Sequence, residues 1–203
     1  MTVSTSWSRI VDWLATNHPS TVPHINPPAT AVDLRYLQAA MNRPLPADLV
    51  EYLQIANGTT HRSIAGSLIP TLYNLIPVME MLSRRHLEQK TQRGLHGAGP
   101  WSGDGDPAGS MSTDWLDNFL PIAEAADAGL LYVDLRDGDQ FGCVWEWYPE
   151  GGPSGAPWWG GVGEMLEEIA SAFVDGGAAS RKGRSPELPH VDDGYLRWGN
   201  VPA

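Results

Sequence analysis

The chain has 203 residues with 13 basic and 24 acidic side chains, a net charge of −11, and an ordinary 42% hydrophobic content. This length fits one domain with extensions and is enough to bury a core. The single cysteine, Cys143, excludes an internal disulfide framework and fits a reducing compartment, and no apolar run approaches the length of a membrane span.

Trp7, Ile10, Val11 and Leu14 form the apolar stripe of an amphipathic helix that ends near Asn17. Pro19, Pro23, Pro27 and Pro28 make the next stretch extended. Thr30 and Asp33 have the spacing of a helix cap, and Leu34, Leu37 and Met41 line the face behind it. Pro44 closes that helix and Pro46 opens another, with Leu49, Val50, Leu53 and Ala56 as its stripe. Gly58 is expected to end it with a left-handed backbone. Residues 64–76 are apolar but broken by Gly66 and Pro70, which suggests short strands. From Pro77 a helix is expected through Met81, Leu82 and Leu87, with Arg84, Arg85, Lys90 and Arg93 on its exposed faces.

Residues 94–113 hold Gly97, Gly99, Gly103, Gly105 and Gly109, the composition of a mobile loop. Strands are expected over 120–123, 130–135 and 143–148, the last two joined by a turn around Arg136-Asp137-Gly138-Asp139. Val162, Met165, Leu166, Ile169, Ala172 and Phe173 give the cleanest helical stripe, stopped by Gly176-Gly177. Residues 176–189 read as a linker, after which Tyr195, Leu196 and Trp198 could dock back on the body. Helices, then neighbouring strands, then a helix make an α+β fold.

The charge is unevenly placed. Residues 1–96 carry a net +2, residues 97–175 hold fifteen acidic side chains against Arg136 alone for a net −14, and residues 176–203 carry +1. Nucleic-acid binding needs basic surface, so this distribution argues against it. An acidic segment bears instead on solubility or on a basic protein partner.

Chemical motifs are sparse. The six histidines have no metal-ligand spacing and no second cysteine joins them, so neither metal nor cofactor is expected. Asp104-Gly105-Asp106 starts like a calcium loop, but Ala108 and Trp115 fall where oxygen ligands are needed. Gly160-Gly161-Val162-Gly163 opens a helix without Rossmann spacing and reads as a tight connection. Cys143 lies between Phe141 and Trp145 and reads as a small buried residue. No nucleophile elbow or equivalent motif is present, which leaves open only a triad assembled from distant residues. Residues 1–19 lack the basic start and continuous apolar stretch of a secretory signal, and a cytoplasmic location is expected.

Five phrases in a fixed order carry a resemblance: Pro27-Pro28 leading into Leu34–Met41; Leu45-Pro46-Ala47-Asp48 running to Asn57-Gly58; Trp115 before Leu120-Pro121-Ile122-Ala123; Val133-Asp134-Leu135; and Val144-Trp145-Glu146-Trp147, with a final helix over 162–173. This pattern resembles the SUKH superfamily, which includes fungal cell-wall assembly regulators of the Smi/Knr type and bacterial toxin-immunity proteins. The chain departs from it before the last helix, where Trp158-Trp159-Gly160-Gly161 replaces the frequent Ser-Phe pair.

The resemblance implies a single SUKH-like domain over residues 25–176, a mainly antiparallel sheet packed against helices, without catalytic residues. Residues 1–24 would be an N-terminal helical extension and 177–203 a linker and tail. For bacterial members it implies neutralisation of a toxin by direct binding. A nuclease toxin grips phosphate with a basic groove, to which an acidic face is complementary. The expected partner-binding residues are Asp104, Asp106, Asp137, Asp139 and Glu150 on loops, with Trp101 or Trp158 as aromatic anchors. Two other classes stay open: a regulatory interaction module of the Smi/Knr type without a toxin, and an enzyme with an unmarked site.

Overall fold

In a computed structural model of the chain, the structure describes residues 1–60, 65–97, 101–148, 152–153, 155–179 and 185–200. Helix α1 (Val3–Asn17) starts at Thr2, whose side chain accepts the Thr5 N–H. A short 3-10 turn follows over Pro19–His24. Helix α2 (Ala31–Met41) has the expected reciprocal cap between Thr30 and Asp33, and it ends at Asn42 in the left-handed region (φ 50°) rather than at Pro44. Helix α3 (Ala47–Leu53) follows Pro46. Strand β1 (Tyr73–Leu75) leads to helix α4 (Val78–His96). Strands β2 (Phe119–Ala125), β3 (Leu130–Asp134), β4 (Val144–Tyr148) and β5 (Gly152–Pro153) precede helix α5 (Val162–Val174). A hairpin of β6 (Glu187–Asp192) and β7 (Tyr195–Asn200) ends the described chain.

The fold is α+β. Strands β1 to β5 form one antiparallel sheet in chain order. Every described residue of β2 and β3 is buried, because both faces of the sheet are covered. On one face Leu131, Val133 and Val144 join the main core with Trp7, Ile10 and Leu14 of α1, Leu49 and Leu53 of α3, and Val162, Met165, Leu166, Ile169 and Phe173 of α5. On the other face Trp115, Leu116, Phe119, Leu130, Tyr132, Cys143, Trp145 and Trp147 form a second, aromatic cluster. Successive strand residues point to opposite faces, and Trp145 and Trp147 share one while Val144 takes the other. Pro121 lies in a strand paired on both sides, a place where its missing N–H is costly. The register shifts between Pro121 and Ala123, and the bulged Ile122 carbonyl accepts the Ile76 N–H at 3.0 Å.

Several details of the expected elements are corrected. Helix α3 ends at Leu53, five residues before Gly58, so Gly58 does not terminate it. Gly58 does hold a positive φ of +65°, but the reason is close approach: a Cβ there would stand 2.3 Å from the Ile76 carbonyl carbon. Leu87 is 45% exposed, and the second half of α4 instead buries Glu88 and Gln92. Of the basic residues on α4, Arg84 is turned inward to Glu124. Leu196, fully buried, and Trp198, whose indole N–H donates to the Ser67 carbonyl at 3.1 Å, dock back on the body as expected, whereas Tyr195 is exposed and the last residues of the expected linker, from Glu187, belong to β6. Residue 64, where the first short strand was expected, lies outside the described residues.

Candidate interaction face

Several residues of the five phrases hold other elements in place. Asn57 Oδ1 accepts the Val78 N–H at 2.9 Å and so caps α4, whose own N-cap, Pro77, offers no side chain for the purpose. Asp48 Oδ2 accepts the Gly163 N–H at 2.8 Å and does the same for α5. The carboxylate of Glu164 takes the Gly160 N–H. The glycine-rich entry to α5 is therefore occupied by the protein's own carboxylates and forms a tight connection, as expected from its spacing.

Among the described residues, three of the acidic side chains in the −14 segment are buried. Glu124 pairs with Arg84, Glu146 accepts the Tyr73 hydroxyl at 2.8 Å, and Asp134 pairs with Arg136. Burial first, then the Glu146 carboxylate, push the Tyr73 hydroxyl's pKa up. The surface charge is thus smaller than the segment total.

Asp134 and Arg136 form the centre of the region, at 0% and 2% exposure. The guanidinium donates from Nε to Asp134 Oδ1 at 3.0 Å and from an Nη to Oδ2 at 2.7 Å, and its Cζ lies 5.2 Å from the centre of the Phe119 ring. Burial opposes its charge, yet the Asp134 hydrogen bonds and charge outweigh that and raise its pKa. Its remaining donors reach the Gly103 carbonyl at 2.9 Å and the Ser110 carbonyl, while Asp134 Oδ2 also accepts the Gly109 N–H at 3.0 Å. The ion pair therefore fastens the glycine-rich segment to the end of β3. Residues 103–110 are anchored by these bonds, where the composition of residues 94–113 suggested a mobile loop. The Ala108 N–H donates to the Asp137 carbonyl at 2.9 Å, which lays the segment against the β3–β4 turn.

The consequence for the expected site is specific. Asp104, Asp106, Asp137 and Asp139 are all exposed, and they sit on these two abutting turns. Asp137 also meets Arg43, from the α2–α3 connection, at 3.2 Å. Trp101 is half-buried and packs against the aromatic cluster beside the same segment. Trp158 departs from expectation: it is 6% exposed, lies in the main core and meets Tyr73 edge-on at 6.1 Å. Its ring is therefore committed to packing. Glu150 lies outside the described residues. Sequence reading missed the Asp134–Arg136 pair, for which the signal was the lone basic residue of an acidic segment, two positions from an aspartate.

Burial, foremost, pushes the Cys143 thiol up to about 12, so at neutral pH it is a protonated packing group. Among the described residues no group of His, Cys, Asp and Glu is arranged to hold a metal ion. Among them, too, no helix is long and apolar enough to cross a membrane.

No individually curated protein is similar enough to this chain to match it. The SMI1 / KNR4 family (SUKH-1) profile matches residues 28–175, which include every motif phrase from the start of α2 to the end of α5. A match over most of its length, in a chain whose phrase residues cap one another's helices, means that this protein belongs to the SMI1 / KNR4 family (SUKH-1).

Proposed function

We propose that this protein is a non-catalytic binding module of the cytoplasm that neutralises a basic protein toxin, such as a nuclease domain, by covering it directly. One observation carries the reading: Asp104, Asp106, Asp137 and Asp139 are exposed on two turns joined through a buried ion pair. Carboxylates on such a support are held in place before a partner arrives, which lowers the ordering cost of binding. They also speed encounter with a basic surface. The half-buried Trp101 offers apolar area at the edge of the same face. The immunity role implied by the family resemblance fits this chemistry.

The test starts from capture of partners in the native host, identified by mass spectrometry and then purified. Replacing Asp104, Asp106, Asp137 and Asp139 with Asn should leave the fold intact and slow association with the partner, chiefly at low salt. Truncating Trp101 to Ala should speed dissociation. A partner bound at the +2 half, with affinity indifferent to salt and to these substitutions, overturns the proposal.

A further inference from the structure

We propose that Arg136 is the positioning residue of this face: its guanidinium latches residues 101–114 onto the β3–β4 turn and so fixes the geometry in which the carboxylates meet a partner. The inference rests on the reading above for what the face binds, but the latch itself stands on geometry. The ion pair touches the segment at three backbone points, the Gly103 carbonyl, the Gly109 N–H and the Ser110 carbonyl. One planar fork grips Asp134 with two nitrogens and still reaches two carbonyls on a separate segment. A lysine ammonium is a compact point charge without that spread of donors. Arg136 is also the sole basic side chain among residues 97–175, and it is spent entirely inside, which leaves the outer surface of the segment to its acids.

Arg136→Lys keeps the net charge, so a loss of binding in this variant reports geometry. Asp104→Asn with Asp106→Asn removes surface charge and leaves the latch intact. Hydrogen exchange is followed on the full chain, together with association to deca-lysine at low salt. In Arg136→Lys, exchange over residues 101–114 should rise about ten-fold or more while β2, β3 and β4 stay protected, as expected for a local opening. Association with deca-lysine should fall in parallel.

Unchanged exchange in the segment overturns the latch. A rise spread equally over the sheet also overturns it, because Arg136 is then a general core residue. Local opening with unaltered deca-lysine binding overturns the positioning role. Should Arg136→Lys fail to fold, Asp134→Asn, which keeps the shape and removes the charge, is judged by the same readings. A wild-type chain that ignores deca-lysine at every salt concentration defeats the acidic-face reading instead, and the exchange pattern still decides the latch.

Discussion

The carboxylate of Asp48, on α3, accepts the backbone N–H of Gly163 at the head of α5 across 2.8 Å. Gly161, the N-cap of α5, has no side chain with which to satisfy that turn. A Cβ on Gly161 would stand 2.5 Å from Asp48 Oδ2, so the small residue and the distant acid fit together. The acid also complements the positive end of the helix. Asp48→Ala should therefore cost about 1 kcal/mol, as lost N-caps do. In a chain of this length that is about 2–4 °C of thermal midpoint by calorimetry. An unchanged midpoint means that water replaces Asp48 without loss.

Gly58 should tolerate no side chain. Its φ of +65° disfavours any other residue, and the atoms a Cβ meets are backbone atoms of Ile76 and Pro77 at 2.3 to 2.7 Å. Backbone gives way less easily than the end of a flexible side chain. Gly58→Val should destabilise by at least about 2 kcal/mol, from strain and clash together. Denaturant titration measures it, and a shift under half that size refutes the close-approach account.

Trp115 anchors the aromatic cluster, meeting Phe119, Tyr132 and Trp147 edge-on at 5.8, 5.5 and 5.4 Å. It is 1% exposed. Trp115→Ala should cost about 3–5 kcal/mol. The loss should also loosen the segment leading up to it, read as faster hydrogen exchange over residues 101–114 than in the α1–α5 layer.

Glu88 gives a pH dependence of defined sign. Burial, foremost, raises its carboxyl above the ordinary 4.5, against the opposing pull of Arg84 and the Trp147 indole. The folded state then holds this proton more tightly than the unfolded chain does. Stability falls as pH rises from about 4.5 through the raised folded value. Glu88→Gln should melt higher than wild type at neutral pH, with the gap closing below about pH 4 where both forms are uncharged. A gap of constant size across that range would mean that packing, not ionisation, separates the two.

The helices were legible because their apolar stripes follow one period and their starts carry a capping side chain, as in α1 and α2, or a proline or glycine break, as in α3, α4 and α5. Thr30 with Asp33 is the clearest cap, and all six residues of the expected α5 stripe are buried, with Ala170 beside them. Long-range pairing was not legible. The glycine content of residues 94–113 reads as solvated loop, and only the fold reveals that Arg136 binds its carbonyls. Leu87 follows the α4 stripe, yet that end of the helix meets Trp147 and buries Glu88 in its place. Apart from the buried Leu196, the strands of the final hairpin are half-buried or exposed and lack an apolar alternation. Its turn, Asp193-Gly194, with φ of 48° and 76°, was a local hairpin signal that the sequence reading passed over.

Three rings from distant parts of the chain stack in series. Trp13 of α1 lies flat on Phe173 of α5 at 4.5 Å, and Phe173 meets Trp198 of β7 at 5.4 Å. Only the middle ring falls within the span shared with the family, residues 28–175. The span shared with the family and the span that packs together here are therefore different lengths of polypeptide. A fragment trimmed to the shared span would turn an oily helix face, with Met165, Ile169 and Phe173, to water. Recombinant work on this protein should keep both flanking pieces, since the trimmed fragment is expected to aggregate and so imitate a loss of function.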